Sequence, residues 1–391
     1  MSAYDEFQEV KWHAFDPYDI WSSRLGVMVR RAYYSDEILG KLGAVTLALG
    51  DWLMPGVSRR IISAEPRSYP IVEAHRILQL ETENRLSSDL SEALTANLAS
   101  MSVDCAQKQG WAWGLGFPWM SKNGLYGPDV PFVTHTPYVM EALLVLAGKS
   151  APRNKAIDMF QGTWWFLESL RVMHEDETTL ALSYAPVKEP RMVINANSYA
   201  AFAYALHAVH GEHEIQSAAL EKAGKLINWV IREQQQDGSW FYYADAKPGN
   251  FIDCFHSCFV VKNLLKTGRL LPQFAEQTDS ATQQGRQYIQ NTFYDDNKAL
   301  CRRFSIRAHR DPFRWDLYDQ AEYLGLLVDF GALERARDLV DQVENSFCQG
   351  ENWFCRIDII GRRWGKNFLR WGIVPFWYHR TRMNKALAGI K

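Results

Sequence analysis

Apolar positions recur at intervals of three and four residues through most of the 391-residue chain, the spacing of helices that bury one face. The periodicity predicts paired helices at about 136 to 148 with 153 to 170, 197 to 210 with 214 to 234, 253 to 267 with 275 to 291, and 316 to 330 with 333 to 346. Weaker pairs precede them, at 18 to 33 with 37 to 53 and at 69 to 83 with 88 to 103. First members of the stronger pairs start roughly 60 residues apart, which marks a repeated supersecondary unit. Between pairs the helical period gives way to aromatic, β-prone segments: Gly110-Trp111-Ala112-Trp113, Asp237-Gly238-Ser239-Trp240-Phe241-Tyr242-Tyr243 and Glu351-Asn352-Trp353-Phe354-Cys355. Asp-Gly and Gly-Ser steps supply tight turns, and the Trp that follows is suited to covering the end of its helix pair.

A helical hairpin cannot bury its apolar face alone. Six of them therefore stack side by side, and closing the stack removes its exposed ends. The expected fold is all-α, an (α/α)6 barrel with short β-hairpin-like connections, formed as one domain over residues 1–391. The first helix of each later pair lines the inside and the second forms the outer wall. An open superhelix is the competing arrangement, and it lacks the polar capping repeat it would need.

Composition narrows the function. The 43 Lys and Arg nearly balance 45 Asp and Glu, so no global field attracts nucleic acid. The 15 Trp, 17 Tyr and 20 Phe provide flat aromatic faces suited to sugar rings and isoprenoid chains, and equally to core filling. Cys105, Cys254, Cys258, Cys301, Cys348 and Cys355 show no zinc-finger or ribbon spacing and read as free thiols of a reducing compartment. No secretory leader pattern and no apolar run of spanning length are visible, so a cytoplasmic location is expected. From Arg362 to Lys391 there are eight Lys or Arg and no acid, interleaved with Trp364, Phe368, Trp371, Phe376 and Trp377. A basic, aromatic terminal helix of this kind suits peripheral contact with anionic lipid of the inner membrane, or packing on the core with a solvated basic face.

Parallel inner helices bring their N-terminal ends to one mouth. Those ends carry His135, then Asn195, Asn197 and Tyr199, then Asp253 and His256, then Arg314, Asp316 and Asp319. Asn, Asp and Thr are ordinary N-caps worth about 1 kcal/mol each, but a cap uses only the first member of Asp253/His256 or Asp316/Asp319. Two carboxylates with a histidine nearby can supply a general acid and base, so Asp253, His256, Asp316 and Asp319 are the catalytic candidates. Trp113, Trp119, Tyr126, His135, Asn195, Asn197, Tyr199, Trp240 and Arg314 are candidates for binding substrate. Hydrolysis would use the carboxyl pair, whereas elimination or epimerisation of a uronate would use one base and a group neutralising the carboxylate, from among Arg314, His135, Arg302 and Arg303. Asp253, Cys254, His256 and Cys258 crowd one helix start, but without a second Cys/His cluster no metal or other cofactor is expected.

The run Arg232-Glu233-Gln234-Gln235-Gln236-Asp237-Gly238-Ser239-Trp240 resembles the QW motif of terpenoid toroids, although the acidic motifs of those cyclases are absent. A longer resemblance, in order along nearly the whole chain, is to VpsJ-like polysaccharide biosynthesis proteins. It rests on Asp16-Pro17-Tyr18-Asp19, Trp113-Gly114-Leu115-Gly116-Phe117-Pro118-Trp119, Val133 to Leu144, Ile194-Asn195-Ala196-Asn197 and Asp237-Gly238-Ser239-Trp240. It continues in Ile252-Asp253-Cys254-Phe255-His256-Ser257-Cys258-Phe259, Tyr318-Asp319-Gln320-Ala321 and Arg363-Trp364. This resemblance implies a toroid working on a bacterial surface glycan (exopolysaccharide, capsule or lipopolysaccharide) or its lipid-linked saccharide precursor, as an enzyme or as a non-catalytic scaffold. A terpenoid-type or prenyl-binding toroid is the third reading.

Overall fold

The structure is a computed structural model that describes residues 12–105, 110–149, 155–307 and 312–389. Its helices are α1 (Asp19–Ser22), α2 (Arg24–Tyr34), α3 (Ile38–Leu53), α4 (Pro55–Ile61), α5 (Pro70–Thr82), α6 (Ser88–Ser100), α7 (Thr136–Ala147) and α8 (Lys155–Ser169). They continue with α9 (Ile194–His210), α10 (His213–Arg232), α11 (Cys254–Leu270), α12 (Ala275–Thr292), α13 (Leu317–Asp329), α14 (Leu333–Phe347) and α15 (Val374–Ala388). Helices α5, α7, α9, α11, α13 and α15 each pack on the next, and α15 returns to α5 to close a six-membered inner ring.

Side-chain chemistry decides which helix goes inside. Small and apolar residues occupy every side of α9, and all of its positions from Ile194 to His207 are buried. Its partner α10 is amphipathic, burying Ala219, Ala223, Leu226, Ile227, Trp229 and Val230 and leaving its charges to solvent. Helices α6, α8, α12 and α14 repeat that outer role, so the architecture is an (α/α)6 toroid.

Small antiparallel hairpins occupy the connections, including Val103–Cys105 with Gly110–Ala112 and Trp119–Ser121 with Gly124–Tyr126. Near the C-terminus Asn352–Asp358 pairs with both Phe313–Asp316 and Arg363–Lys366. The Gln-to-Trp run ties two outer helices together. Gln234 Nε2 donates to the carbonyls of Gly238 and Ala281, and Trp240 Nε1 donates to Val230 O at 2.8 Å. Trp240 lies so close to α12 that a Cβ on Gly285 would come within 2.6 Å of its ring.

The ring differs from expectation at its ends. Helices α2 and α3 form a hairpin, but they pack on each other and on α4 beside the ring. The sixth inner position belongs to α15, which buries Phe376, Trp377, His379 and Met383. The basic terminal segment is therefore ring wall and not a solvated amphipathic helix facing lipid. Three of its cations pair within the fold, Arg370 with Asp16 at 2.6 Å, Arg382 with Asp329 at 2.6 Å, and Arg380 with Glu344, while Lys366 and Lys385 stay exposed. Residues 390 and 391 of that segment lie outside the described residues, as does the side chain of Cys105. No described helix is long and apolar enough to cross a membrane.

Candidate functional site

Asp253 ends a two-residue strand paired with Phe304–Ile306 and caps α11, so it sits on a fixed strand-to-helix corner. Its carboxylate accepts from His256 N at 3.3 Å, and both of its oxygens lie 2.8 Å from His256 Nδ1. With Nδ1–H donating to the carboxylate, the other ring nitrogen, Nε2, is left as an acceptor. The imidazole is held on its remaining sides by Tyr242, Phe251, Phe255 and Phe259, with ring centroids 4.1 to 5.9 Å away. Its side chain keeps 21 % exposure and lines a crevice with Asn195, Trp240, Tyr242, Phe251 and Asp253. The crevice is tight, about 10 Å³, the space of one water.

Two further polar atoms at the same end of the ring have no partner among the described residues, His135 Nε2 and Asn195 Oδ1, both buried. His135 Nδ1 lies 3.3 Å from the Thr134 hydroxyl, which donates to Tyr184 Oη at 2.7 Å. Burial, reinforced by the Arg370 cation, pushes the His135 pKa down to about 3, so the ring is neutral near pH 7. Unpaired buried polar atoms of this kind are costly unless water or a ligand meets them.

The second acidic pair is gathered beside the first but is occupied. Asp316 is fully buried as the cap of α13, accepting from Tyr318 N at 3.0 Å. Its carboxylate also takes Arg356 Nε at 2.8 Å, Trp371 Nε1 at 2.9 Å and the Arg303 guanidinium at 3.4 Å. The Trp371 contact depends on Gly372, whose φ is +87° and whose Cβ, if present, would lie 2.5 Å from Tyr318 N. Asp319 is fully buried, with Oδ1 accepting from Phe255 N at 3.0 Å and Oδ2 unpartnered among the described residues. Burial first, then repulsion from Asp316 and Asp253, raises its pKa well above the usual carboxylate range, which favours its protonated form. Neither aspartate presents a free carboxylate to the crevice.

Several expected sugar contacts are structural. Trp113 is buried with Nε1 bonded to Leu98 O, and Tyr126 is buried with its hydroxyl on Glu189 at 2.6 Å. Asn197 spends its amide on the backbone of Leu182 and Val193. Tyr199 lies deeper, its hydroxyl 2.6 Å from that of Tyr138. Arg314 emerges elsewhere, in an open groove of about 370 Å³ with Lys298 and Arg363, because the strand shifts register between Phe313 and Trp315. Trp119 is half-buried, 4.3 Å from the ring of Tyr18, and Trp240 is buried but lines the crevice. Cys254 and Cys258 are turned into the core, with pKa values raised by burial, while Asp253 and His256 face the crevice. No three His, Cys, Asp or Glu among the described residues are placed to hold a metal.

Sequence reasoning missed the groups that surround Asp316 and His135: Arg356 and Trp371 on the Asp316 carboxylate, Tyr18 against Trp371, Tyr184 on Thr134, and Arg370 near His135. It also missed the polar plug below them, where buried Lys262 Nζ bonds Glu322 at 2.7 Å and Tyr138 Oη at 2.8 Å. A lysine amid the apolar residues of α11 was the one local signal, since a buried amine requires a paired acid.

Similar architectures occur among solved structures. Cellobiose 2-epimerase from Spirochaeta thermophila aligns with a TM-score of 0.60 and 14 % identity over 84 % of this chain and 89 % of its own. The GH76 α-mannanase from Bacteroides thetaiotaomicron gives 0.56 and 13 % over 82 % and 88 %. A polysaccharide lyase gives 0.54 and 10 % over 86 % and 95 %. At such identities the likeness establishes the fold alone. No family profile matches the chain and no curated protein matches it by sequence, so the VpsJ-like resemblance rests on the motifs quoted above.

Proposed function

We propose that this toroid acts on a sugar or short glycan at the His256 crevice, by proton transfer at a sugar carbon, within bacterial surface polysaccharide synthesis. One observation carries the reading: His256 is fixed through Nδ1 by Asp253, which leaves Nε2 as its free ring nitrogen, and it lines one crevice together with Asn195, whose buried amide oxygen has no partner among the described residues. An imidazole oriented by a carboxylate is suited to act as a general base. Because Asp316 is bonded to Arg356 and Trp371 and Asp319 is buried in the wall, neither lining the crevice, epimerisation, isomerisation or elimination fits better than hydrolysis through two free carboxylates. The sugar-active enzymes sharing the fold support the substrate class, and the VpsJ-like motifs support the pathway. The polar plug of Lys262, Glu322, Tyr138 and Tyr199 disfavours an apolar isoprenoid chamber.

A glycan is larger than the crevice, so binding requires the rim of Tyr242 and Phe251 to move aside. Incubation in D2O with oligosaccharides from the host polysaccharide tests the reaction type. Deuterium entering a C–H position of the sugar with the wild-type chain, and falling about 10²–10⁴-fold in His256→Asn, is the expected result. No exchange into any sugar, with the surface polysaccharide unaltered in a His256→Asn host strain, would leave a glycan-binding scaffold as the better reading.

A further inference from the structure

Helix α3 has a composition that does not fit its surroundings. Its sequence, ILGKLGAVTLALGDWL, is apolar on nearly every side, which ordinarily means a buried helix, yet it buries only Gly40 and Asp51. Ile38, Leu42, Val45, Leu49 and Leu53 follow one another at three- and four-residue steps along the outside, and Ile38 and Leu42 are 75 % and 61 % exposed. Helix α4 prolongs the stripe with exposed Val57 and Ile61.

What the face lacks identifies its occupant. From Leu42 to Ser58 the only charged residue is Asp51, which is buried and bonded to Arg59 Nη1 at 2.6 Å. The exposed hydroxyl of Thr46 is already donated to Leu42 O of its own helix at 3.0 Å. Protein interfaces carry about one hydrogen bond per 100–200 Å² to set their register, and this stripe has no free group with which to make one. Hydrocarbon needs none. Around the stripe Lys41 pairs with Asp36 at 2.6 Å, the remaining exposed Arg24, Arg31 and Arg60 outnumber exposed Glu37 and Glu65, and Tyr33 and Tyr34 stand at the end of α2, the pattern of a headgroup boundary.

We infer that the α2–α4 hairpin is an in-plane membrane anchor whose apolar stripe lies in the interfacial layer of an anionic bilayer. At 1.5 Å per residue, the 16 residues of α3 reach about 24 Å, which suits lying in the surface and is too short to cross it. The anchor is fastened to the rim of the ring. Arg30 of α2 lies 4.8 Å over Trp21 and 4.1 Å over Trp119, and donates to Met120 O at 3.0 Å. Trp119 touches Tyr18, and Tyr18 touches Trp371 beside Asp316, so a docked molecule carries its mouth next to the headgroups. This docking does not depend on the chemistry assigned to His256.

Flotation of the full chain with vesicles of phosphatidylethanolamine and phosphatidylglycerol tests the anchor. Wild-type protein rises with the vesicles, and the double substitution L42D/L49D lowers the bound fraction at least tenfold while the thermal midpoint stays within a few degrees. Ile38→Glu, at the most open part of the stripe, gives a partial loss in the same direction. A wild-type chain that stays below the vesicles overturns the proposal, as does a double variant that floats equally well. So does a dimer in sedimentation equilibrium that L42D/L49D dissolves and that excludes lipid, since a second copy would then be the occupant.

Discussion

At the scale of single residues, the wall and the crevice make opposite demands on the aspartates that end the inner helices. Asp253 serves both as cap and as orienter of His256, and Asn caps a helix about as well as Asp. Asp253→Asn is therefore expected to leave the thermal midpoint within a few degrees while lowering kcat about 10²–10³-fold, measured on whichever sugar shows exchange. Asp319 gives a stability test with a definite sign. Its folded pKa is raised, so between the unfolded value near 4 and the folded value the native state holds the proton more tightly, and stability falls as pH rises through that window. Asp319→Asn keeps the acceptor for Phe255 N and removes the ionisation, so it should match the wild type at pH 4 and exceed it at pH 8 in denaturant midpoint. The sequence placed these residues at the mouth because helix starts are legible. It could not separate a free carboxylate from an occupied one, since Arg356 and Trp371, the partners of Asp316, lie 40 and 55 residues away.

At the scale of elements, periodicity located the helices well and their partners less well. Predicted bounds of 275 to 291 and 333 to 346 fall within one residue of the observed α12 and α14, because the apolar stripe of an outer helix ends where its burial ends. Amphipathicity indicates that a face is buried, not what covers it. Periodicity alone therefore counts the first hairpin into the ring, and the basic residues of α15 point to a surface, whereas the ring takes α15 and leaves α2 and α3 beside it. The turn before α15 is the joint that brings this last inner helix against α13. Gly372→Ala would force alanine to a φ near +87° and drive its Cβ into Tyr318 N, at a cost of about 3 kcal/mol. The check is a fall in urea midpoint with an unchanged m-value, and a wild-type midpoint would mean that the turn tolerates a side chain.

At the scale of the whole molecule, ring closure depends on contacts that are remote in sequence, such as Arg370 with Asp16 across 354 positions, and no local pattern announces them. Among the described residues the closed ring also buries four histidines, His75, His135, His207 and His379. Burial pushes His75 and His135 down to about 3 and His207 to about 4, and lowers His379 well below its ordinary value. A depressed folded pKa gives stability that is present above the unfolded value near 6.5 and lost as pH falls toward the folded value, because only the unfolded chain takes up the proton. Each such histidine contributes a slope of up to about 1.4 kcal/mol per pH unit, so the thermal midpoint should drop steeply from pH 6.5 to 4.5. His207→Gln should lessen that slope, and a flat profile would contradict the buried neutral state. The account as a whole rests on the toroid mouth being a sugar site centred on His256. The most direct measurement is a crystal structure after soaking with oligosaccharides of the host polysaccharide. Density for a sugar within hydrogen-bond distance of His256 Nε2 and Asn195, with Tyr242 and Phe251 displaced, is the predicted result. A sugar bound only in the outer groove of Lys298, Arg314 and Arg363, with the crevice unchanged, would contradict it.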